Sequence, residues 1–559
     1  MVRVQGGKVS SISEAENELL SADQLAESWR LACRTVVSGK VSVYVPAIST
    51  VEAPVLQLES LAVTIKPKTS IRTFSLSVPP ASLTDQRADL QRVAEALQQQ
   101  HGIANARADL PALSSLREAL REGDWNIGVG LRGEEIIDAY PGAVLTPVGL
   151  AVDVGTTKLA CYLVDLATGK VLAAQGAMNP QIAYGEDVMA RLAAAMADPA
   201  NALRMQEVVV KAVNDVAREL CATLKLETRH LLDLCLVGNT AMHHLLLNLP
   251  VRPLALSPFV SATSSPLEVD AATLGLNAAP GAHAYLPPPI AGFVGSDHVA
   301  VLLAAGFGED NRTRLAIDIG TNTEIALQVG RRIVSCSTAS GPAFEGAHIS
   351  HGMRAAPGAI QRVTITAEGV VKLDIIGGGP ASGICGSGVL DSIAEMRAAE
   401  IINERGRVIK GRPGVRLQHD GLPEFLLAAG SEGLRDVTIT QQDIDQILLA
   451  KGAIRAGIDI LMNHLNVKAQ DIDDINIAGA FGSYLDPRNA IRIGLLPRVP
   501  LNRIRAIGNA AGAGARMMLA STEARQRATA LAEQVEYLEV TVYPGFQKYL
   551  AAGMRLPAG

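Results

Sequence analysis

Apolar and polar positions alternate with different periods along the chain, and the first 50 residues form one pattern. Ser13-x-x-Glu16 and Ser21-x-x-Gln24 each match a capping box, in which side chains satisfy free backbone N–H groups at a helix start. The alternating segment VSVYVP (41–46) follows, which is typical of a strand that its proline ends. We therefore predict a small unit at residues 1–50 with one or two short helices and a strand.

Residues 51–146 predict a second small unit. A helix is predicted from Thr84 onwards, because apolar residues from Leu90 to Leu97 recur at i, i+3, i+4 and i+7. Three segments have the composition or alternation of strands: LAVTI (61–65), TFSLSV (73–78) and WNIGVGLRG (125–133). Together these elements predict a ββαβ-like α/β module, and the turn-rich YPGAVLTP marks its end.

From residue 147 to the end, short apolar strands alternate with longer helical stretches, which predicts α/β layers. This region contains an internal repeat. LAVDVGTTKLACYLV begins at Leu150, and LAIDIGTNTEIALQV begins at Leu315. Each copy is an apolar strand, a D-x-G-T turn and a second strand. The repeat predicts two halves of similar fold, roughly 147–310 and 311–559, that face each other.

The residues of the repeated turn suit a polyphosphate. Glycines at its third position let the backbone turn tightly, and successive N–H groups in such a turn form a nest for phosphate oxygens. Asp153 and Asp318 cannot favour bare phosphate, but a carboxylate suits Mg²⁺. The further candidate phosphate ligands are Gly155, Thr156, Thr157, Lys158, Gly320, Thr321 and Asn322. One copy alone is more typical of an ordinary hairpin turn, so the second copy is what favours a phosphate site.

A third motif lies in DINIAGAFGSYLDPRNAIRIGLLP (474–497), where a strand leads through Gly479 and Gly482 into a helix. Small residues let a flat adenosine lie against the backbone, although a tight strand-to-helix packing turn explains the same residues. Together with both D-x-G-T turns, this motif resembles the phosphate-1, phosphate-2 and adenosine motifs of the acetate kinase, sugar kinase, Hsp70 and actin superfamily. The resemblance implies an α/β fold with two ribonuclease-H-like halves and an ATP cleft, which is the actin-like ATPase fold.

Longer segments resemble one branch of that superfamily, the reductive activators of corrinoid proteins. The segments are NPQIAYGEDVMARL (179–192), VGNTAMHHLLLNLPV (237–251), STASGPAFEGAHISHGMRAAPGAI (337–360), GICGSGVLD (383–391) and LAKGAIRAGI (449–458). The resemblance implies that Mg²⁺ and ATP drive transfer of an electron from a donor to a corrinoid protein of a methyl-transfer pathway. Cobalt is thereby returned from Co(II) to Co(I). Residues 1–50 would be the remnant of a ferredoxin-like domain with its linker, and 51–146 a middle α/β domain.

Roles follow from the resemblance position by position. Asp153 would hold Mg²⁺, and Asp318 would act from the other half. Glu324 would orient the attacking water, which hydrolysis requires, or would be a plain carboxylate of the cleft wall. The glycines and hydroxyl residues of the two turns would line the phosphates, and Gly479 and Gly482 would face adenosine.

Cys33 stands alone in WRLACRTVVSGKVSVYVP (29–46). Plant-type [2Fe–2S] clusters use C-x₄-C-x₂-C and a distant fourth cysteine. In the reductive activators the fourth cysteine falls where Cys33 falls, so the resemblance implies a cluster ligand only in a longer parent chain. One thiolate cannot hold a cluster. In these 559 residues we therefore expect an inert cysteine behind a ferredoxin front that is missing or lost.

Composition and charge exclude some functions. The formal net charge is −6 and basic residues form no block, which argues against a nucleic-acid groove. No apolar run reaches the roughly 18 residues of a membrane-spanning helix. The six cysteines lack CxxC spacing, which favours a reducing cytoplasm. As partners we expect a corrinoid protein and an electron donor, without nucleic acid or membrane, and we allow for a homodimer.

Other glycines and histidines have two interpretations each. The glycines of 377–379 and GICGSG either approach the nucleotide or pack closely. His348 and His351 are more typical of a structural loop than of a partner contact. His243 and His244 are more typical of satisfied helix histidines than of ligands.

Two other functions stay open as well. A small-molecule kinase of the same superfamily would need a general base beside its acceptor, and a nucleotide-gated binding module would use ATP only to switch affinity for a protein.

Overall fold

The structure is a computed structural model, and it describes most of the chain. Its described residues are 2–13, 16–17, 20, 22–32, 34–45, 65–142, 146–366, 369–418, 421–430, 434–482 and 484–558. Two compact units divide the chain: Met1–Val55 with Ala355–Pro357, and Leu56–Arg354 with Gly358–Gly559. Cys33 and residues 61–64 of the predicted strand LAVTI lie outside the described residues.

The N-terminal unit contains a three-stranded antiparallel sheet. Its elements are β1 (Val2–Gly6), α1 (Ala22–Ala26), β2 (Trp29–Arg30) and β3 (Ser42–Tyr44), with β1 in the centre. The predicted strand in VSVYVP is confirmed as β3. Glu16 is fully buried and accepts from the Ser13 N–H at 2.9 Å, as the capping-box pattern predicts. It also receives the Arg30 guanidinium at 2.9 Å, and this ion pair holds the pKa of Glu16 well below its usual range.

Residues 65–142 form an α/β module with a four-stranded sheet in the order β4-β6-β7-β5. Its elements are β4 (Ile71–Ser77), α2 (Asp89–His101), β5 (Arg107–Ala108), α3 (Leu110–Glu122), β6 (Asn126–Arg132) and β7 (Glu135–Pro141). The strands predicted at 73–78 and 125–133 are confirmed as β4 and β6. The predicted helix start at Thr84 is wrong, because Ala88 is extended (φ −62°, ψ 150°). Helix α3 is absent from the predicted module, although Asp109 caps it by accepting from the Ala112 N–H.

The first half of the predicted ATPase region is built on a six-stranded sheet in the order β10-β9-β8-β11-β13-β12. Its strands are β8 (Val148–Val154), β9 (Lys158–Asp165), β10 (Val171–Met178), β11 (Leu231–Gly238), β12 (Leu267–Asp270) and β13 (His283–Leu286). Its helices are α4 (Val188–Ala197), α5 (Pro199–Thr223), α6 (Thr240–Leu246), α7 (Arg252–Ala255) and α8 (Ser296–Ala304). The first three strands are antiparallel, and β11 then joins β8 in parallel.

The second half has a matching six-stranded sheet in the order β24-β23-β14-β15-β16-β25. The strands from Arg314 on are β14 (Arg314–Ile319), β15 (Thr323–Val329), β16 (Arg332–Thr338), β17 (Ala359–Ile365), β18 (Val371–Ile375), β19 (Gly383–Ile384), β20 (Val415–Leu417), β21 (Pro423–Ala428), β22 (Val437–Thr440), β23 (Asp474–Ala478), β24 (Ile504–Gly508) and β25 (Val535–Tyr537). The helices are α9 (Gly386–Ala398), α10 (Gln441–His464), α11 (Gly479–Gly482), α12 (Pro487–Arg492), α13 (Ala510–Ala520), α14 (Thr522–Gln534) and α15 (Phe546–Met554). Strands β17–β19 and β20–β22 form two smaller sheets.

Five strands of each large sheet share one topology, which confirms the predicted two-half, actin-like fold. The sixth strand differs, since β12 pairs with β13 but β25 pairs with β16. In each half three antiparallel strands are followed in space by a parallel strand beside the first one, β11 beside β8 and β23 beside β14. Helix α13 joins the halves. It packs so closely on α8 that a Cβ at Gly514 would lie 2.2 Å from the Ala300 carbonyl oxygen. Among the described residues, no helix has both the length and the apolarity to cross a bilayer.

Candidate nucleotide site

Both D-x-G-T segments form hairpin turns, and these turns carry two of four carboxylates that influence one another. Asp153 lies near the end of β8 and Asp318 near the end of β14, one in each half. Glu324, at the start of β15, pairs directly across from Asp318. Asp297, in the first turn of α8, completes the group. Asp297 was not among the predicted site residues, and its one local signal is its place two residues after Gly295, the N-cap of α8.

Of the four carboxylates, Glu324 is buried and the other three are half-buried, and all but Asp153 are affected by the charge of at least one other. Burial, opposed by a hydrogen bond from Asn509, raises the pKa of Asp153 to about 6. Burial together with the charge of Asp153 raises the pKa of Asp318 to about 7. Burial and then the charges of Asp318 and Asp153 raise the pKa of Asp297 to about 8. Glu324 is only 8% exposed, and burial raises its pKa well above the usual range. A divalent cation bound among these carboxylates would favour their ionised forms and lower these pKa values.

The first turn is tied to neighbouring elements. Thr156 Oγ1 accepts a hydrogen bond from Asn239 Nδ2 at 2.8 Å, and Asn239 is also the N-cap of α6. Thr157 and Lys158 are half-buried at the same turn. Burial lowers the pKa of Lys158, while the Glu345 carboxylate of the other half acts to raise it. Lys158 therefore lies within electrostatic reach of a carboxylate from the other half.

The second turn differs from the first in the hydrogen-bond partner of its threonine hydroxyl. Thr321 Oγ1 donates to Glu345 Oε1 at 3.0 Å, so this hydroxyl is already engaged and is not a free donor toward phosphate. Gly320 closes the turn through its N–H, which donates to the Asn322 carbonyl at 3.2 Å. The two turns therefore share a backbone path but not the same side-chain contacts.

The third motif also has the predicted order of strand, glycine turn and helix. Gly479 has φ +88°, and a Cβ there would lie 2.5 Å from the Ile319 carbonyl oxygen and 3.1 Å from Asp318 Oδ1. A Cβ at Gly482 would lie 2.6 Å from Ile477 Cγ2. Close backbone packing thus accounts for both glycines, and their contact with adenosine stays a prediction. Asn509, the N-cap of α13, reaches the site from the same half and donates to Asp153 Oδ2 at 3.0 Å.

Among the residues with two interpretations, His244 and Gly388 have structural roles. His244 is buried between the Thr240 carbonyl (2.7 Å) and the Ala262 N–H (2.9 Å), so it is a satisfied helix histidine. Both ring nitrogens of His243 are buried without a hydrogen-bond partner among the described residues, so the expectation of a satisfied helix histidine is wrong there. Burial and the neighbouring His244 lower the pKa of His243 to about 4. In GICGSG, a Cβ at Gly388 would lie 2.2 Å from the Ile360 carbonyl oxygen, which makes close packing the reason for that glycine.

Within the described part of the chain, no group of three or more His, Cys, Asp or Glu side chains has the arrangement of a metal site. Asp153 and Asp318 would fit Mg²⁺ that arrives with ATP, because Mg²⁺ is usually held by one or two carboxylates together with phosphate oxygens. The described cysteines do not suit an iron–sulfur cluster, since all five are buried in separate elements: Cys161, Cys221, Cys235, Cys336 and Cys385. The prediction for Cys33 lies outside the described residues.

Comparisons with known proteins agree with this architecture. Three family profiles match the chain: the RACo linker region at residues 60–145, the RACo middle region at 148–310 and the C-terminal ASKHA domain of RACo at 312–559. The fold and the paired turns define an ATPase of this actin-like ASKHA class. A solved structure described as a reductive activator for a corrinoid, iron–sulfur protein is 32% identical. It covers 100% of this chain and 91% of its own, with a TM-score of 0.79.

Curated relatives point to the same family. Corrinoid activation enzyme RamQ from Eubacterium limosum is 34% identical over 76% of this chain and 73% of its own. A [Co(II) methylated amine-specific corrinoid protein] reductase from Methanosarcina barkeri is 27% identical over 62% of this chain and 66% of its own. The chain belongs to the RACo family of corrinoid reductive activators. The predicted boundaries at residues 50, 146 and 310 stay predictions.

Proposed function

We propose that this chain hydrolyses ATP in the cleft between its two halves and uses that reaction to drive reduction of a partner corrinoid protein. ATP and water become ADP and phosphate, while one electron from a donor converts Co(II) to Co(I). The observation that carries the proposal is the pair of D-x-G-T hairpins, one in each half. Their aspartates are close enough for the charge of Asp153 to raise the pKa of Asp318.

Roles within the cleft follow from chemistry. Asp153 and Asp318 would hold the Mg²⁺ of Mg²⁺-ATP, one from each half. Burial, and for Asp318 also the charge of Asp153, raises their pKa values to about 6 and 7, and a bound cation would offset that cost of ionisation. The N–H groups of both turns, with Lys158, would hold the phosphates. Glu324 would orient the attacking water, and Asp297 lies in the same cluster as a second candidate for that role.

The coupling would be conformational. ATP contacts both halves at once, so its binding favours a closed cleft and its hydrolysis releases that closure. Lys158 and Glu345 lie on opposite halves and already influence each other electrostatically, which places one charge pair across the moving boundary. The affinity of a corrinoid protein that binds one cleft state better than the other would change with each hydrolysis event.

Finer features belong to the same proposal. The electron comes from a separate low-potential donor, and the protein acts in the cytoplasm, alone or as a homodimer. Cys33 as fourth ligand of a [2Fe–2S] cluster in a longer parent chain stays a prediction.

Reconstitution tests the proposal. The chain is mixed with a purified Co(II) corrinoid protein from its host, a one-electron reductant such as Ti(III) citrate, and Mg²⁺-ATP, and the cobalt state is followed by absorbance. The proposal expects Co(I) to form only with ATP. Phosphorylation of a sugar or carboxylate instead would favour a kinase, and ATP-dependent binding without Co(I) would favour a nucleotide-gated binding module.

A further inference from the structure

Asn179 holds the first phosphate turn from behind. It directly follows β10 and is fully buried. Its Nδ2 donates to the Gly155 carbonyl at 2.8 Å, and its backbone N–H donates to the Thr157 carbonyl at 2.9 Å. Its Oδ1 accepts from the Gln181 N–H at 3.0 Å, which caps the short 3₁₀ helix Pro180–Tyr184. One side chain therefore joins the turn to a rigid neighbouring element.

The planar peptide between Gly155 and Thr156 fixes the direction of the Thr156 N–H. In a planar trans peptide the C=O of one residue and the N–H of the next point to opposite sides. Because the Gly155 carbonyl is held toward Asn179, the Thr156 N–H points the other way. Among the described residues no protein acceptor receives that N–H. Since Thr156 Oγ1 already accepts from Asn239, its proton is likewise free to donate.

Ser340 holds the second turn in the same manner. It follows the end of β16 closely, is 5% exposed, and its Oγ lies 3.2 Å from the Gly320 carbonyl oxygen. The Thr321 carbonyl oxygen lies 3.3 Å from the same hydroxyl and accepts the Gly341 N–H at 3.0 Å. Thr323 Oγ1 lies 2.8 Å from Ser340 Oγ and fixes its rotation.

The two holding residues occupy equivalent places in the repeat. Each contacts the carbonyl of the turn glycine and lies between the third strand of its half and a 3₁₀ helix that begins with proline, Pro180–Tyr184 or Pro342–Glu345. Asn179 is the N-cap of its 3₁₀ helix, whereas Ser340 directly precedes the N-cap Gly341. The side chains differ, asparagine in one half and serine in the other. The common feature is the hydrogen bond to the glycine carbonyl.

We infer that Asn179 and Ser340 are paired positioning residues that aim the backbone N–H groups of the two turns at the phosphates of ATP. They act through Gly155 and Gly320 and do not touch the nucleotide. This inference rests on the proposed function, because it takes ATP as the ligand of the two turns.

Calorimetric titration of the full chain with ATP and with adenosine tests the pairing. We expect Asn179→Ala and Ser340→Ala each to weaken ATP binding about tenfold, the scale of one buried hydrogen bond. Adenosine lacks phosphates, so its affinity should stay within about twofold. Ser340→Thr keeps the hydroxyl and should retain ATP affinity. Asn489→Ala and Ser392→Ala are matched controls, since both remove a buried side-chain hydrogen bond away from the turns.

The outcomes separate this inference from the proposed function. Wild-type chain that fails to bind ATP would overturn both. If Asn179→Ala and Ser340→Ala fold and bind ATP as tightly as the wild type does, the pairing alone is overturned. Equal losses for ATP and adenosine, or equal losses in the controls, would also overturn it. Should Asn179→Ala not fold, Asn179→Asp keeps the shape and the acceptor while removing the donor, and the same losses are expected.

Discussion

Glu324 lies directly opposite Asp318 across the β14–β15 hairpin, whereas the equivalent partner of Asp153 across β8–β9 is Ala160. Two halves with one topology thus build a cleft with unequal chemistry. Burial is the main cause of the raised pKa of Glu324, and the charges of Asp297 and of the opposed Asp318 raise it further. We propose that this additional carboxylate orients the attacking water.

Glu324→Gln keeps the shape of the side chain and removes its charge and basicity. We expect the kcat for ATP hydrolysis to fall about 100-fold or more, the usual range for loss of a general base. ATP affinity should change little, because the group acts on water. Steady-state kinetics beside calorimetric ATP binding measure both quantities. Unchanged kcat in Glu324→Gln together with a large loss in Asp297→Asn would move the role to Asp297.

Asp153→Asn and Asp318→Asn test the Mg²⁺ assignment. Each should lower ATPase activity at least about tenfold and raise the Mg²⁺ concentration needed for half-maximal rate, since each removes one cation-binding charge. Asp270→Asn is a control in the same half, because the Asp270 side chain is 70% exposed. Circular dichroism checks the fold. Full activity in both cleft variants would refute the assignment.

The carboxylate cluster predicts how the stability of the nucleotide-free chain depends on pH. A carboxyl with a raised pKa keeps its proton in the folded state at pH values where the unfolded chain has released it. The free energy of unfolding therefore falls as pH rises from about 4 through the folded value. For Asp297 that window ends near its pKa of about 8. Thermal melts should show lower melting temperatures at pH 8 than at pH 5.5.

Asp297→Asn should raise the melting temperature at pH 8 by a few degrees and change it little at pH 5.5, because the proton already neutralises Asp297 there. Saturating Mg²⁺-ATP should flatten the pH dependence of the wild type. Melting temperatures that rise with pH across this window would contradict the cluster as described.

Asp233 joins three regions of the chain and should be a centre of stability. This buried carboxylate receives Arg132 Nη2 at 3.2 Å from β6 and Arg525 Nη2 at 2.6 Å from α14. Asp233→Asn leaves two guanidinium groups with weaker partners and should cost about 3 kcal/mol of unfolding free energy. Asp215→Asn weakens the surface pairs with Lys211 and Arg218 and should leave the melting temperature nearly unchanged. Equal behaviour of the two variants would show that Asp233 carries no special stability.

Local patterns predicted the parts of the site that are contiguous in sequence. Both hairpin turns and the strand before Gly479 could be located because each turn is contiguous in sequence with the strands or helix that it connects. Asp297 and Asn509 could not, since each reaches the cleft only after distant segments pack. Asn179 and Ser340 lie in segments whose family resemblance was visible, but their contact with the glycine carbonyls depends on strand pairing that no local pattern encodes.

The same limit applies to the fold. Two similar halves could be predicted because each copy of the repeated strand–turn–strand segment is a short contiguous pattern. The start of α2 was misplaced since Asp85 pairs with Arg92, at 2.7 Å, and the extended Ala88 delays the helix. A side-chain contact of this kind has no signature in hydrophobic spacing.

The most direct test of the account follows cobalt during ATP turnover. Absorbance of the Co(II) corrinoid partner is recorded with excess reductant and the chain, first with a non-hydrolysable ATP analogue and then with ATP. The account predicts Co(I) in proportion to ATP hydrolysed, little with the analogue, and little from Asp318→Asn. Full Co(I) formation without ATP, or sustained hydrolysis with no Co(I), would contradict it.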